Sequence, residues 1–170
     1  MSVPLVPSLV AIVLLLCCSA FFSSSETALF SLSREWLAER AGSDTRAAAV
    51  EEVLADPHRL LVTLLVGNNV VNITLSSLLT ALLVDRLEPG IAVVATTVIA
   101  STVILIAGEI LPKSYGLGNA QTFALRVVRP LYYVELLLYP VVTVFDYLTR
   151  TLSARIGGQQ SIEQAYDEVD

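Results

Sequence analysis

The amino-acid sequence predicts an all-α membrane protein with three transmembrane helices, a cytoplasmic helical hairpin and a helix lying in the membrane interface. Of its 170 residues, 55% are hydrophobic and only 15% are charged, and the mean hydropathy is +0.71. A globular domain of this size buries only about two-thirds of its chain surface, so lipid suits this composition better than water. Three nearly uncharged stretches are also long enough to cross the hydrocarbon layer, which takes about 20 helical residues.

The predicted membrane spans cover residues 7–30, 60–84 and 91–111. Glu26 and Glu109 are the only charged side chains within them. The first span also contains two adjacent cysteines, which we interpret as small buried hydrophobic residues because no third cysteine is present to pair with either.

A polar segment between the first two spans, residues 31–59, predicts a short helical hairpin at the membrane surface. Ser33 is a suitable N-cap for a first helix. A turn follows at Gly42, and residues 45–54 predict a second helix. Asp56 ends this hairpin, because the residue before a proline avoids helical backbone angles.

The distribution of basic residues predicts the orientation in the cell membrane. Loops rich in arginine and lysine favour the cytoplasmic side. Residues 31–59 and the part of the chain after residue 111 are rich in them, whereas residues 85–90 contain only Arg86. The sequence therefore predicts a multi-pass protein with its N-terminus outside and its C-terminus in the cytoplasm.

Residues 130–152 leave two alternatives open. They are apolar enough for a fourth span, but Glu135, Pro140 and Asp146 interrupt them. They are also rich in tyrosine, which favours the membrane–water interface. A fourth span would place the C-terminus outside, against the distribution of arginine, so the sequence favours a helix in the inner interface.

The domain organisation follows from these assignments. Residues 1–155 are predicted to form one transmembrane domain, and residues 156–170 an acidic linker toward a soluble region that this sequence does not contain. The net charge of −6 argues against a nucleic-acid partner, which calls for a basic stripe. No catalytic constellation is present in the sequence, so we expect that the protein is not an enzyme.

Polar clusters inside the predicted spans indicate a site, because polar side chains at membrane depth are expensive and often functional. The clusters are Ser23-Ser24-Ser25-Glu26, Asn68-Asn69 with Asn72, and Gly108-Glu109. All three are predicted to lie in the inner half of the bilayer. Asn68 and Asn72, four residues apart, share one helix face, while Asn69 points about 100° away.

The third cluster precedes a proline that is predicted to break the helix. Pro112 lacks an N–H group and frees the carbonyl of Gly108. Gly116 and Gly118 favour unwinding just beyond it. Backbone carbonyls, amides, hydroxyls and one carboxylate together suit hard cations such as Mg²⁺, Ca²⁺ or Na⁺. Softer metals prefer histidine or cysteine, and the single histidine, His58, is predicted to be a surface residue.

Other interpretations of these polar residues also have a physical basis. Serine and asparagine commonly join helices by hydrogen bonds within membranes, and this is the interpretation we favour for Asn69. Glu26 lies near the inner interface, where Arg34 or Lys113 could pair with it.

Three stretches of the sequence resemble one known family. The stretches SSSETALFSLS, LLVGNNVVNI and GEILPKSYG are similar to the signature motifs of the transmembrane domain of CNNM/CorC magnesium transporters. The resemblance implies a homodimer with three transmembrane helices per subunit and a belt-like juxtamembrane helix. It also implies export of a dehydrated Mg²⁺ ion, with Na⁺ as the coupling ion, and paired CBS nucleotide-binding modules after the membrane domain.

The resemblance also implies a set of ligands for the ion. They are Ser23 or Ser24, Asn68, Asn72, Glu109 and a backbone carbonyl near Gly116. Two other functions stay open: a Mg²⁺-sensing membrane domain that transports nothing, and a Na⁺-selective carrier or channel.

Overall fold

The computed structural model describes residues 4–155, and 91% of these residues are helical, with no β-strand among them. The helices are α1 (Leu5–Phe30), α2 (Arg34–Ala41), α3 (Thr45–Leu54), α4 (Pro57–Val84), α5 (Pro89–Val103), a π-helical segment (Ile104–Ile110), α6 (Leu111–Gly118) and α7 (Ala120–Arg155). The predicted all-α class is therefore confirmed. The predicted acidic linker, residues 156–170, lies outside the described residues.

Four of these helical stretches are long and apolar enough to cross a membrane: Leu5–Phe30, Pro57–Val84, Pro89–Gly118 and Ala120–Leu152. The first three contain the three predicted spans. The fourth contains the stretch that we predicted to lie in the interface. By length and composition it is suited to cross the membrane, and its interfacial position stays a prediction, as does the homodimer.

The chain forms two compact units among the described residues. The first unit contains residues 4–31 and 67–120, and the second contains residues 32–66 and 121–155. Helix α4 contributes its first turns to the second unit and the remainder to the first.

The helical hairpin has the bounds that its local sequence predicts. The Ser33 side chain accepts a hydrogen bond from the backbone N–H of Trp36 at 3.3 Å, which caps α2. Asp44 caps α3 by accepting from the backbone N–H of Arg46 at 2.8 Å. This backbone hydrogen bond lowers the pKa of Asp44, with a further contribution from the Arg46 side chain. The hairpin prediction is confirmed in its helix bounds.

The irregular part of the third span lies before Pro112 and not after it. Between Ile104 and Ile110 the backbone is π-helical, and the N–H of Leu111 donates to the carbonyl of Ile106, five residues back. Regular α-helix then continues to Gly118. The prediction of unwinding at Gly116 was therefore wrong. The backbone instead changes from α- to π-type hydrogen bonds in the turn before the proline. There the carbonyl of Gly108 lacks its usual donor, because Pro112 has no N–H group.

Helix α7 passes through Pro130 and Pro140 without a break. The predicted helix over residues 130–152 is therefore present as part of a longer one. Charged side chains of α7 bond to the first turns of α4 and to the residue before it, within the second unit. Glu135 accepts from Arg59 at 2.6 Å, and Arg150 donates to Asp56 at 2.8 Å.

His58 is not a surface residue as we predicted. Its side chain is 22% exposed, and its Nδ1 lies 2.7 Å from a carboxylate oxygen of Asp146. The reason is the length of α7, which brings Asp146 alongside the start of α4. This pairing engages the histidine within the second unit.

Three glycines allow helices of the first unit to approach closely. A Cβ atom on Gly67 would lie 2.5 Å from the ring of Phe22, and one on Gly108 would lie 2.7 Å from the hydroxyl of Ser19. One on Gly116 would overlap the backbone carbonyl of Ser24. Small residues at such crossings are typical of helices that pack within membranes.

Candidate metal-ion site

Polar side chains from α1, α4 and the π-helical segment meet in the first unit. Ser19 donates from Oγ to Oδ1 of Asn68 at 3.2 Å. The amide nitrogen of Asn72 lies 3.5 Å from Oδ1 of Asn68 and 3.4 Å from Oε1 of Glu109. The structure thus brings together three of the residues that the sequence singled out, Asn68, Asn72 and Glu109, and we call them with Ser19 the polar cluster.

The helix spacing of the asparagines has the predicted consequence. Asn68 and Asn72 lie one turn apart on the half-buried face of α4, whereas Asn69 is exposed. Asn69 points about 100° away from Asn68 around the helix. Helical phase alone was therefore sufficient to separate the two kinds of asparagine.

Ser19 is a member of the cluster that we did not predict. Its side chain is completely buried. It follows two cysteines in an apolar run, so no charge or polar neighbour marks it. One signal was present in the sequence: Ser19 lies four residues before Ser23, and such residues share a helix face.

Several oxygens of this unit are buried without a hydrogen-bond partner among the described residues. They are Oγ of Ser23, Oγ of Ser25, Oδ1 of Asn72 and Oγ1 of Thr96. Leaving a buried acceptor unsatisfied costs about 1–3 kcal/mol. Such atoms are therefore the first candidates for contact with an ion or with ordered water.

The adjacent Ser24 has different surroundings. Its hydroxyl donates to the carbonyls of Ala20 at 2.6 Å and Phe21 at 3.2 Å, both in its own helix. Its own carbonyl packs against Gly116 of α6. Within the described residues, no hydrogen bond joins Ser24 or Gly116 to the polar cluster. Their contact brings α6 close to α1.

Glu26 is engaged outside the polar cluster. A carboxylate oxygen of Glu26 lies 3.3 Å from the Lys113 ammonium group, which is one of the two pairings that we considered for it. Glu109 is thus the carboxylate of the cluster. The two acidic residues of the predicted spans have separate surroundings.

The π-helical segment sets the direction of Glu109. A π turn contains one residue more than an α turn, which rotates the side chains that follow by roughly 100°. Glu109 lies inside this segment and contacts Asn72, while Gly108 of the same segment packs against Ser19. The unusual backbone and the polar cluster therefore occur at the same place.

The donor set has the chemistry of a hard-cation site. No group of three or more histidine, cysteine or acidic side chains that could hold a metal ion is present within residues 4–155. The polar cluster offers hydroxyl and amide oxygens with one carboxylate. Oxygen ligands of this kind suit Mg²⁺, Ca²⁺ or Na⁺ and do not favour softer metals.

Comparisons with known proteins give matches over most of the chain. A family model described as "CNNM: Cyclin M transmembrane N-terminal domain" matches residues 9–170. The chain is 36% identical over 140 residues to a chloroplastic DUF21 domain-containing protein of Arabidopsis thaliana. It is 34% identical over 140 residues to the UPF0053 inner membrane protein YfjD of Escherichia coli.

Each of these two alignments covers 82% of this chain but only 21% and 32% of the respective relative. A UPF0053 protein of Haemophilus influenzae is 30% identical over 159 residues, which are 92% of this chain and 37% of that protein. The chain therefore spans well under half the length of these relatives.

Proposed function

The chain belongs to the family of cyclin M (CNNM) transmembrane domains, and from this premise we propose that it binds Mg²⁺ between its helices and carries the ion across the membrane. The four apolar helices and the inner-membrane relative indicate a multi-pass membrane protein. The proposal on Mg²⁺ depends on the polar cluster of the first unit.

The orientation of the Asn72 amide is the observation that carries the proposal. Its nitrogen donates to two oxygens that suit a cation, Oδ1 of Asn68 and Oε1 of Glu109, while its own Oδ1 is buried without a partner. Rotating the amide by 180° exchanges its nitrogen and oxygen. Three oxygens then converge, and a bound cation is what would stabilise them.

In this structure the amide hydrogens of Asn72 point at the two oxygens that would bind the ion. We propose that they lie where the bound ion would lie. The hydroxyl of Ser19, which donates to Asn68 in this structure, can rotate to offer the ion a lone pair. Ser23 lies one turn later on the same face of α1 and adds a buried hydroxyl. We propose Ser19, Ser23, Asn68, Asn72 and Glu109 as the ligands.

This set takes Ser23 from the pair Ser23 or Ser24 that the resemblance implied, adds Ser19 and omits the carbonyl near Gly116. Ser24 uses its hydroxyl within its own helix, and Gly116 lies in regular α-helix against the Ser24 carbonyl. Their role in the proposal is to bring α6 and α1 together. The five proposed oxygens approach the roughly six that Mg²⁺ requires in octahedral geometry.

The charge of the site suits transport. The one carboxylate neutralises only part of the charge of a bound Mg²⁺, and the other four oxygens are neutral. We therefore expect the ion to bind reversibly. Passage across a membrane requires binding that is strong enough for entry and weak enough for release. We propose export by alternating access, with Na⁺, which the same oxygens can accept, as the coupling ion.

Calorimetric titration of the purified chain with Mg²⁺ tests the site. We expect Asn72→Ala to weaken Mg²⁺ binding at least about tenfold, which corresponds to roughly 1.4 kcal/mol. Asn69→Ala is the matched control, since it removes the same side chain from the exposed face of the same helix. It should leave the affinity nearly unchanged.

The opposite pattern, in which Asn69→Ala abolishes binding and Asn72→Ala does not, would place the site on the other face of α4. Competition by Na⁺ in the same titration separates the rival hypothesis. Binding of Na⁺ that Mg²⁺ fails to displace would favour a Na⁺-selective carrier.

A further inference from the structure

A basic pocket lies in the second unit, between the helical hairpin and the first turns of α7. It has a volume of about 360 Å³ and contains no acidic residue in its lining. Three arginines line it, one from each helix: Arg40 of α2, Arg46 of α3 and Arg126 of α7. This pocket belongs to a different unit from the polar cluster and takes no part in the proposed transport site.

The positive charge of the pocket is only partly compensated. Arg46 pairs with Asp44 at 3.4 Å, and the charge of Arg40 also helps to lower the pKa of Asp44. Arg40 lies over the ring of Trp36, 5.3 Å from its centroid. Neither Arg40 nor Arg126 forms an ion pair with an acidic residue within residues 4–155. Three arginines that line one pocket repel each other, and a bound anion would relieve this repulsion.

The remaining polar groups of the pocket also suit an anion. Gln121 and Thr122 lie in the first turn of the 36-residue helix α7. The first turn of a helix carries backbone N–H groups without partners and the positive end of the helix dipole. Guanidinium groups match the oxygens of a phosphate with paired hydrogen bonds.

We propose that this pocket binds a phosphate group, and that the headgroup of an anionic phospholipid supplies it. The position of the pocket along the chain favours lipid. Helix α2 begins four residues after Phe30, the end of an apolar helix, and Arg126 lies in the second turn of a helix that is itself apolar enough for a membrane. We therefore place the first turns of α7 at the surface where lipid phosphates lie, at the end of a span or along an interfacial helix.

The side chain that best tests the pocket is Arg126, which is exposed and has no hydrogen-bond or ion-pair partner within the described residues. Its removal should therefore leave the fold intact. Arg129 is the matched control, because it is also an exposed arginine of α7 without such a partner, only three residues away, and it does not line this pocket.

Native mass spectrometry of the full chain in detergent, titrated with phosphatidylglycerol or with neutral phosphatidylcholine, provides the measurement. We expect preferential retention of phosphatidylglycerol, weakened about five- to tenfold by Arg126→Gln and by Arg40→Gln, as for a lost charge-assisted hydrogen bond. Arg129→Gln should bind like the unmodified chain. Calorimetry with Mg²⁺ should give unchanged affinity for all three variants, which separates this proposal from the transport site.

A second experiment titrates the full chain with inorganic phosphate instead of lipid and measures the melting temperature of the protein. Stabilisation by phosphate that Arg126→Gln removes, without any preference for phosphatidylglycerol, would support the phosphate pocket with a soluble ligand as its source. Binding of neither ligand would overturn the proposal. An equal loss of phosphatidylglycerol binding in Arg126→Gln and Arg129→Gln would also overturn the proposal. Binding would then depend on the overall positive charge and not on this pocket.

Discussion

Ser23 and Ser24 are neighbours in the sequence, yet their hydroxyl groups have opposite surroundings. Ser23 Oγ is buried without a partner among the described residues, whereas Ser24 Oγ bonds to two carbonyls of its own helix. Donating the O–H leaves the lone pairs of Ser24 Oγ free, so the two hydroxyls differ in direction: Ser24 Oγ is turned toward the carbonyls of its own helix, whereas Ser23 Oγ has no contact to lose. The difference arises from helical phase, since adjacent residues point about 100° apart.

At this scale we predict that Ser23→Ala lowers Mg²⁺ affinity at least about tenfold, or roughly 1.4 kcal/mol. Ser24→Ala should change the affinity little, because its hydroxyl only bonds back to its own helix, a contact that does not stabilise a helix. Calorimetric titration of both variants measures the difference. A larger loss for Ser24→Ala would restore that serine to the ligand set.

In helix α6, the backbone conformation differs from the one that its proline and glycines predict. Pro112 and the glycines after it predicted unwinding near Gly116, and the family resemblance implied a carbonyl ligand there. In the structure α6 is regular, and Gly116 serves close packing against Ser24. The sequence shows that Pro112 lacks a donor, but the turn that absorbs this loss depends on the packing of α1 against the π-helical segment.

Two glycines of α6 provide the test at the level of elements. Gly116→Ala should lower the melting temperature, because its Cβ would overlap a backbone carbonyl that no side-chain rotation can move. Overpacking of this kind costs about 1–3 kcal/mol, and each kcal/mol lowers the melting temperature by roughly 2–4 °C in a chain of this size. Gly118→Ala should be nearly neutral, since nothing lies within 4 Å of its Cβ position.

Thermal unfolding in detergent compares these two variants. An unchanged melting temperature for Gly116→Ala, together with weaker Mg²⁺ binding, would contradict the packing role and support a carbonyl ligand there instead.

For the whole molecule, the composition and apolar runs were sufficient to predict the all-α membrane class and three of the long helices. The caps at Ser33 and Asp44 act within a few residues, so the bounds of the hairpin could be read from the sequence. Contacts between segments that are distant in the sequence could not be read from it. The burial of Ser19, the pairing of His58 with Asp146 and the unbroken course of α7 all depend on which helices pack together.

The central claim is that the polar cluster lies on the path of a transported Mg²⁺ ion, and Mg²⁺ flux into liposomes containing the purified chain tests it most directly. Two substitutions of the same type are compared, Glu109→Gln in the cluster and Glu26→Gln in the ion pair with Lys113. The account predicts flux above that of empty liposomes, reduced at least about tenfold by Glu109→Gln and largely retained by Glu26→Gln. No flux from a chain that still binds Mg²⁺ would contradict transport and favour a sensing domain, and equal losses in both variants would contradict the assignment of the site.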